Sequence, residues 1–410
     1  MSNPAATSPA VPSPAASGPA VPEGKEDRRD EKSELRRRTD EVCADFSDAY
    51  WRETDRERRY PGEFVNAMSD AGLLAVMIPT AYGGGGYGLT EAAVVMEAVN
   101  RSGGHSAACH AQMYTMGAVL RHGTEEQKNR YLPGIAEGTI RLQAFSVTEE
   151  AGSDTLSLTT TATPTDDGYV IDGHKTWTSR ILDTDLALVL ARTAPTPEGS
   201  TDGLTLFLVD LRVVREEQPE SLVITPVRTM FNYATNQVTY RGMRVPADAV
   251  IGTVGKGFRH IIDGWNAERM LLASEAIGDG YWFIDRAVTY AKGRQVFDRP
   301  IGKNQGVQFP IADAYMKVRA AELMRDQAVA EYDAGRSAGA EANMAKLLAS
   351  EASWEAANVC LDTYGGFGFV DEYDIERKFR ETRMFSVAPV NNNLVRSFIA
   401  TKVLGLPKSY

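Results

Sequence analysis

The sequence predicts an α+β fold made of an N-terminal helical domain, a middle antiparallel β-barrel-like domain and a C-terminal four-helix bundle. Three changes of texture predict it. Apolar residues recur at three- and four-residue spacing over residues 29–143, short alternating or β-branched runs replace them over 144–252, and a helical period returns in long stretches over 253–410. A chain of 410 residues with 43% hydrophobic content is long enough to bury a large composite core.

The order of elements follows from local signals. Residues 1–28 are dominated at first by Ala, Pro, Ser, Gly and Val, which bury too little surface to offset chain entropy, and a disordered tail is expected there. The mixed-charge stretch from Lys25 to Arg38 reads as the solvated face of a helix start, with a docking element as the alternative. Phe64, Met68 and Leu73, then Ala92 to Val99 and Met113 to Leu120, mark helices separated by Gly and Pro breaks. Strand-like runs follow at Gly168–Ile171, Leu186–Ala191, Leu204–Val209, Leu222–Val227 and Gln237–Val245. Long helical patterns cover Ile261–Lys292, Val307–Ala334 and Ala340–Leu361, and a last one runs near Asn393–Val403.

Composition bounds the function. A formal net charge of -11 disfavours nucleic acid and anionic lipid as partners. Cys43, Cys109 and Cys360 lie far apart with no paired spacing, so buried structural thiols are expected rather than a disulfide framework or a zinc site. His105, His110, His122, His174 and His260 form no metal-binding pattern. No apolar run approaches the roughly 20 residues of a membrane span, and the N-terminus lacks a secretion signal, so the cytoplasm is the expected compartment. Gly83, Gly85 and Gly88 satisfy G-x-G-x-x-G, but helix follows helix through Leu120, where a dinucleotide fold needs a second strand and an acidic residue. Those glycines are expected to serve a tight connection with positive φ.

Five stretches, in order, carry a resemblance. They are Pro79 to Gly86, Ala144 to Asp154, Gly173 to Ser179, Arg294 to Gln305, and Tyr364 to Phe369 followed by Arg380-Glu381-Thr382-Arg383. Together they resemble the acyl-CoA dehydrogenase family over nearly the whole chain after the tail. The resemblance implies an FAD-dependent enzyme that desaturates an acyl thioester at the α,β position. It implies a cofactor site in which Phe145, Val147 and Thr148 supply backbone groups to the flavin edge. Ser153 would sit near the phosphate or thioester, Trp177 would pack by the ring system, and Ser179, in place of the usual Thr, would keep a hydroxyl near N5. Arg294 would pair the pyrophosphate, Phe297 would pack on the nucleotide, and Gln305, Gly365 and Gly366 would complete the site, the last group from a neighbouring subunit. Asp362 stands where the family often has Gln, and it would have to turn toward a ribose hydroxyl. The signature also departs from the family after Glu149, where Glu150 replaces two residues.

The base is the informative position. Desaturation needs a carboxylate facing the acidic Cα–H in a dry pocket. Most relatives carry it near the C-terminus, where Val387 to Asn393 stand here and Pro389 occupies the place of the Glu. Isovaleryl and long-chain branches carry it on the first long helix after the β module. Here that helix has Asn266-Ala267-Glu268-Arg269, so the resemblance implies Glu268 as the base. A lone Glu is more often half of a helical ion pair, yet Trp265, Met270, Leu271 and Leu272 surround this one, which suits a base once substrate excludes water. Asn266 and Arg269 would line the acyl-thioester channel, and Asn391 and Asn393 match flavin contacts. Glu149, Glu150 and Glu381 are lesser carboxylate candidates. The expected partners are an acyl-CoA or acyl-carrier-protein thioester, an electron-transfer flavoprotein or similar acceptor, and further copies of the chain in a homotetramer or homodimer. A flavin oxidase or monooxygenase on the same scaffold, or a non-catalytic homologue that binds flavin or an acyl carrier, remain alternatives.

Overall fold

Among the described residues, helices precede and follow an eight-stranded mixed sheet. The computed structural model describes residues 24–198, 200–388 and 390–408, so residues 1–23 of the expected tail and Pro389 lie outside the described residues. The first layer comprises α1 (Gly24–Ala44), α2 (Asp48–Glu57), α3 (Gly62–Asp70), α4 (Leu89–Arg101), α5 (Ala107–His122) and α6 (Glu125–Ala136). Helix α1 therefore begins inside the stretch read as tail. Between α3 and α4 the glycine run makes a compact turn. Gly83 and Gly86 adopt φ of +86° and +68°, and Gly84 lies so close to Ile78 that a Cβ would meet its carbonyl oxygen at 2.2 Å. Of the three motif glycines Gly83 alone adopts the expected positive φ, whereas Gly85 and Gly88 are required by close approach, since a Cβ would meet the Tyr87 ring at 2.8 Å and the Asp333 carboxylate at 2.7 Å.

The sheet contains β1 (Leu142–Ser146), β2 (Thr161–Thr165), β3 (Gly168–Lys175), β4 (Leu186–Arg192), β5 (Leu204–Asp210), β6 (Leu222–Pro226), β7 (Asn236–Pro246) and β8 (Val250–Ile251), with the short helix α7 (Leu211–Glu217) after β5. Its order is β6-β7-β3-β2-β4-β5-β8, and β1 lies parallel beside β4. The expected antiparallel barrel-like sheet is therefore antiparallel in most ladders and open, with no ladder joining β6 to β8 among the described residues. Strand β2 escaped the period-two reading because Thr-Ala-Thr-Pro-Thr offers only Ala162 to the core. Side chains of β4 alternate between two cores: Leu186, Leu188 and Leu190 face the α5–α6 side, while Ala187, Val189 and Ala191 face β3 and β7.

The C-terminal layer is built on α8 (Gly257–Gly293), α9 (Gln305–Asp333) and α10 (Gly339–Tyr364), with the small hairpin β9 (Gln295–Val296) and β10 (Arg299–Pro300) between α8 and α9. The fourth position of the expected bundle is filled by two short helices, α11 (Ile375–Arg383) and α12 (Asn392–Phe398), and a π turn at Ile399–Val403 extends the last one. Helix α8 packs against α4, α5, α9, α10 and β5, which buries Met270, Leu271, Leu272, Ala273 and Phe283 almost completely. Helix α11 is tied to it by charge: Lys378 Nζ lies 2.5 Å from Asp279 and donates to the Gly104 carbonyl at 2.9 Å. Arg377 bonds Asp374, Glu381 and the Gly103 carbonyl, so Glu381 is a structural partner rather than a base. Cys43, Cys109 and Cys360 are buried free thiols. Among the described residues no helix is long and apolar enough to cross a membrane.

One buried ion pair fastens the exit of β1 to the end of β3. Lys175 Nζ donates to the Val147 carbonyl at 3.1 Å and to Glu149 at 2.9 Å, and Glu149 also accepts from the backbone of Thr159 and Thr160. Burial works against the Glu149 charge, but the hydrogen bonds from Thr160 and Lys175 outweigh it and hold the carboxyl down at about 2. Replacing Lys175 by Met should destabilise the protein by about 3–5 kcal/mol, since it leaves a partly buried carboxylate without its cation; denaturant unfolding measures the loss. Acid titration of the wild type should show the Glu149 contribution present above its ordinary value of 4.5, fading as pH falls toward about 2, and missing in Glu149→Gln.

Candidate active site between the helices and the sheet

Glu268 and Glu275 are both acidic residues on a helix that is otherwise apolar toward α5. Seven residues apart, they share one face of α8. Glu268 is 6% exposed and Glu275 is as deeply buried. Opposite them on α5 stands His110, also buried, whose Nδ1 hydrogen-bonds Glu275 and whose Nε2 lies 4.0 Å from Glu268 Oε1. Burial alone would push this imidazole down, but the facing carboxylates of Glu275 and Glu268 lift it to about 9. Tyr114, one turn further along α5, sets its ring 5.1 Å from that of His110, and Phe145 at the end of β1 packs 5.6 Å from Tyr114. A continuous wall therefore runs from the two carboxylates to the β1 exit.

The segment after β3 forms the adjoining wall. Its backbone leaves the ladder yet stays paired to the approach to β7, with Thr178 N donating to the Asn236 carbonyl at 2.9 Å and Arg180 N to that of Ala234 at 2.7 Å. Thr176 N donates to the Thr148 carbonyl at 2.8 Å, and the Val147 carbonyl is held by Lys175. Ser179 Oγ is buried 3.3 Å from the Thr235 hydroxyl. Trp177 adopts φ +58° and is 59% exposed. Its left-handed backbone is held by the surrounding pairing, and its exposed indole is a surface that a planar group could cover. Arg180, φ +61°, is buried under the same segment with its guanidinium 4.8 Å from the Tyr233 ring centre. Ser153 is exposed in the turn after Glu149, where Gly152 at φ +61° closes the shortened signature.

Asn266 and Arg269 lie beside Glu268. Arg269 donates to Asn266 Oδ1 at 3.0 Å, its Nε is buried with no partner, and burial pushes the guanidinium below its ordinary value despite the Glu268 charge. The 390–393 segment returns to this end of α8. Lys346 Nζ bonds the Val390 carbonyl at 2.6 Å and Asn392 at 2.9 Å, while Asn391 caps α12 through Leu394 N. Asn391 and Asn393 both line a cavity of about 610 Å³ with Trp354 and Arg383.

The remaining expected cofactor residues gather elsewhere. Arg294, at the C-terminal end of α8, lines a second cavity of about 440 Å³ with Gly365, Gly366 and Phe367, and its guanidinium lies 5.6 Å from the Phe367 ring centre. No side chain or backbone atom comes within 4 Å of a Cβ built on Gly365 or Gly366. Phe297, on the β9–β10 hairpin at φ +51°, is 94% exposed, and Gln305 is exposed at the start of α9. Asp362 is exposed on α10 and is not among the walls of that cavity. The structure thus brings Phe145, Val147, Thr148, Trp177 and Ser179 together as one set and Arg294, Gly365 and Gly366 as another. At about 1.5 Å per residue, Glu268 and Arg294 are roughly 39 Å apart along α8. The uncovered indole of the first set suits a planar group, and the open backbone at paired glycines beside an arginine in the second suits a phosphate-bearing one.

His110, Glu275, Tyr114 and Lys175 were missed by sequence reasoning. The seven-residue spacing of Glu268 and Glu275 was a signal available in the sequence. His110 carried none, because its partners lie 158 and 165 residues further along the chain.

Comparison with known proteins agrees with this layout. The family models for the acyl-CoA dehydrogenase N-terminal, middle and C-terminal domains match residues 29–139, 144–238 and 255–404. An acyl-CoA dehydrogenase of Mycobacterium bovis is 33% identical over 93% of this chain and 98% of its own length. The caffeyl-CoA reductase subunit of an Etf complex from Acetobacterium woodii is 31% identical over 82% of this chain and 88% of its own. The solved glutaryl-coenzyme A dehydrogenase in complex with glutaryl-CoA superposes with a TM-score of 0.85 at 27% identity, covering 92% of this chain and 96% of that one. The chain belongs to the acyl-CoA dehydrogenase family.

Proposed function

We propose that this protein is an FAD-dependent acyl-thioester dehydrogenase in which Glu268 takes the α proton of the acyl group. The observation that carries the reading is a buried carboxylate on α8, with His110 and the Tyr114 phenol of the Tyr114–Phe145 wall beside it. When bound, FAD supplies the acceptor for the hydride that leaves Cβ. The protein does the rest. Glu268 receives the proton in a site from which water is excluded. Backbone groups at Phe145, Val147 and Thr148 would bind the flavin edge, Ser179 would stand by N5, and Trp177 would cover the ring. Asn266 and Arg269 would border the acyl-thioester channel, with Ser153 near its mouth. Asn391 and Asn393 would contact the flavin from the far side. Domain limits of 29–143, 144–252 and 253–410 go with this assignment.

Arg294, Gly365 and Gly366 lie too far from Glu268 for one chain to apply both sets to a single dinucleotide. A second copy would therefore bring Arg294, Phe297, Gln305, Gly365 and Gly366 to the nucleotide half, which supports a homodimer or homotetramer. Asp362 would reach a ribose hydroxyl rather than a phosphate, because like charges repel. The Acetobacterium relative carries Etf in its name, which supports an electron-transfer flavoprotein as redox partner. The acyl carrier, coenzyme A or a carrier protein, presents the same thioester arm to this site.

Anaerobic mixing of the flavin-loaded protein with short, branched and long acyl-CoA thioesters should bleach the flavin absorbance with at least one class. Glu268→Gln should slow that bleaching by about 10²–10⁴-fold; full-rate bleaching in the variant would overturn the base assignment. Arg294→Ala should weaken flavin retention by about one to two orders of magnitude, the worth of a charge-assisted hydrogen bond of about 1.5–3 kcal/mol, as read by FAD content after gel filtration.

A further inference from the structure

We propose that His110 is a positioning residue for Glu268: held through Nδ1 by Glu275, its ring faces the Glu268 carboxylate with Nε2, balances its charge and holds it in place. The inference rests on the reading of Glu268 as base. Two carboxylates on one face of a buried helix repel each other and lose hydration, so a cation between them is required for both to remain charged. His110 occupies that place, hydrogen-bonded to Glu275 and 4.0 Å from Glu268 Oε1.

The groups facing this triad come from several elements. Tyr114 packs against the imidazole from α5 itself. Tyr233 and Arg180 approach from the segments flanking the sheet; Tyr233 acts with Glu268 and Glu275, and both Tyr233 and Arg180 act on the Tyr114 phenol. His105, ahead of α5, is pushed down by burial and so stays neutral near Glu275. Ser106 also bonds Glu275. Arg269 faces Glu268 from its own helix. Glu381, Lys378 and Arg377 on α11 act on His105. His110 is the only one of these groups that contacts both carboxylates within 4.0 Å among the described residues.

The chemistry balances without a proton leaving His110. The α C–H bond breaks, its proton forms an O–H bond on Glu268, and the electron pair enters the new Cα=Cβ bond as the hydride departs from Cβ to the flavin acceptor of the proposed reaction. The pocket's Glu268–His110–Glu275 charge changes from one net negative to neutral, and the imidazolium that favoured an ionised base then faces a neutral acid.

The test is the pH profile of the limiting rate of anaerobic flavin reduction, measured on the holoenzyme with the acyl-CoA that bleaches it best. In His110→Asn the acid limb should move to higher pH by about one unit or more, and the limiting rate at neutral pH should fall about tenfold, with the thioester dissociation constant changed less than about threefold. In Glu275→Gln, which retains a partner for Nδ1 but removes its charge, the alkaline limb should move to lower pH by about one unit, because the imidazolium then deprotonates sooner. Opposite displacements of the two limbs support the proposal, and if His110→Asn fails to hold flavin, the Glu275→Gln displacement decides alone. Limbs unmoved in Glu275→Gln, or a slower rate explained wholly by weaker thioester binding, would make His110 a structural filler. Those outcomes differ from failure of the base reading, in which Glu268→Gln bleaches at the wild-type rate or no thioester bleaches the wild type; either would remove the basis for a role of His110.

Discussion

Helix α8 is the constraint on which the other elements depend. Its 37 residues are apolar on most sides, and that surface can be covered only if α4, α5, α9, α10 and the edge of the sheet all pack against it. The few charged groups it carries inward then dictate where its neighbours stand. Glu268 and Glu275 require His110 on α5, and Asp279 requires Lys378 on α11 and Asn100 on α4. Asp279 still sits up at about 6, because burial opposes its charge more than Lys378 and Asn100 favour it. Buried charge without a partner is far more costly than buried charge with one, so these pairs select one arrangement of helices among those the apolar surface alone would permit.

The sheet contributes shape of a different kind. Where α8 places its buried charges on a regular helix, the segment after β3 presents surfaces from backbone held in unusual conformations. Trp177, Arg180 and Ala234 all adopt positive φ, and they sit where the ladder between β3 and β7 is continued by irregular pairing. Such conformations persist only when the surroundings over-determine them. Here the Lys175–Glu149 pair and the cross-bonds at Thr178 and Asn236 do so. The consequence is an indole that stands open beside a buried hydroxyl, a geometry of use to a planar cofactor and of little use to a core.

The two groups of cofactor residues lie at opposite ends of the same helix, one near Glu268 and one at Arg294. The length of α8 thus keeps Glu268 and Arg294 roughly 39 Å apart within one chain. Assembly and catalysis would be linked through α8 by geometry alone, with no moving part.

Much of this was legible in the sequence. The alternation of textures set the order helix, sheet, helix, because side-chain periods of 3.6 and 2 survive in the residue pattern whatever packs against it. The ordered motifs carried the family and pointed to Glu268, which the structure buries. Some elements left weaker traces: β2 has only one core residue and a proline, and the short α11 was not read, whereas the last helix, expected near Asn393–Val403, stands as α12 and the π turn that extends it. What only the tertiary structure decided was which distant residues meet. His110 joins Glu268 and Glu275 across more than 150 residues of sequence, Arg294 is carried away from Glu268 by the length of α8, and the sheet stays open between β6 and β8. Local spacing encodes the face on which a side chain lies, whereas the identity of its partner depends on how separate faces are brought together, and that is set by the packing of the whole core.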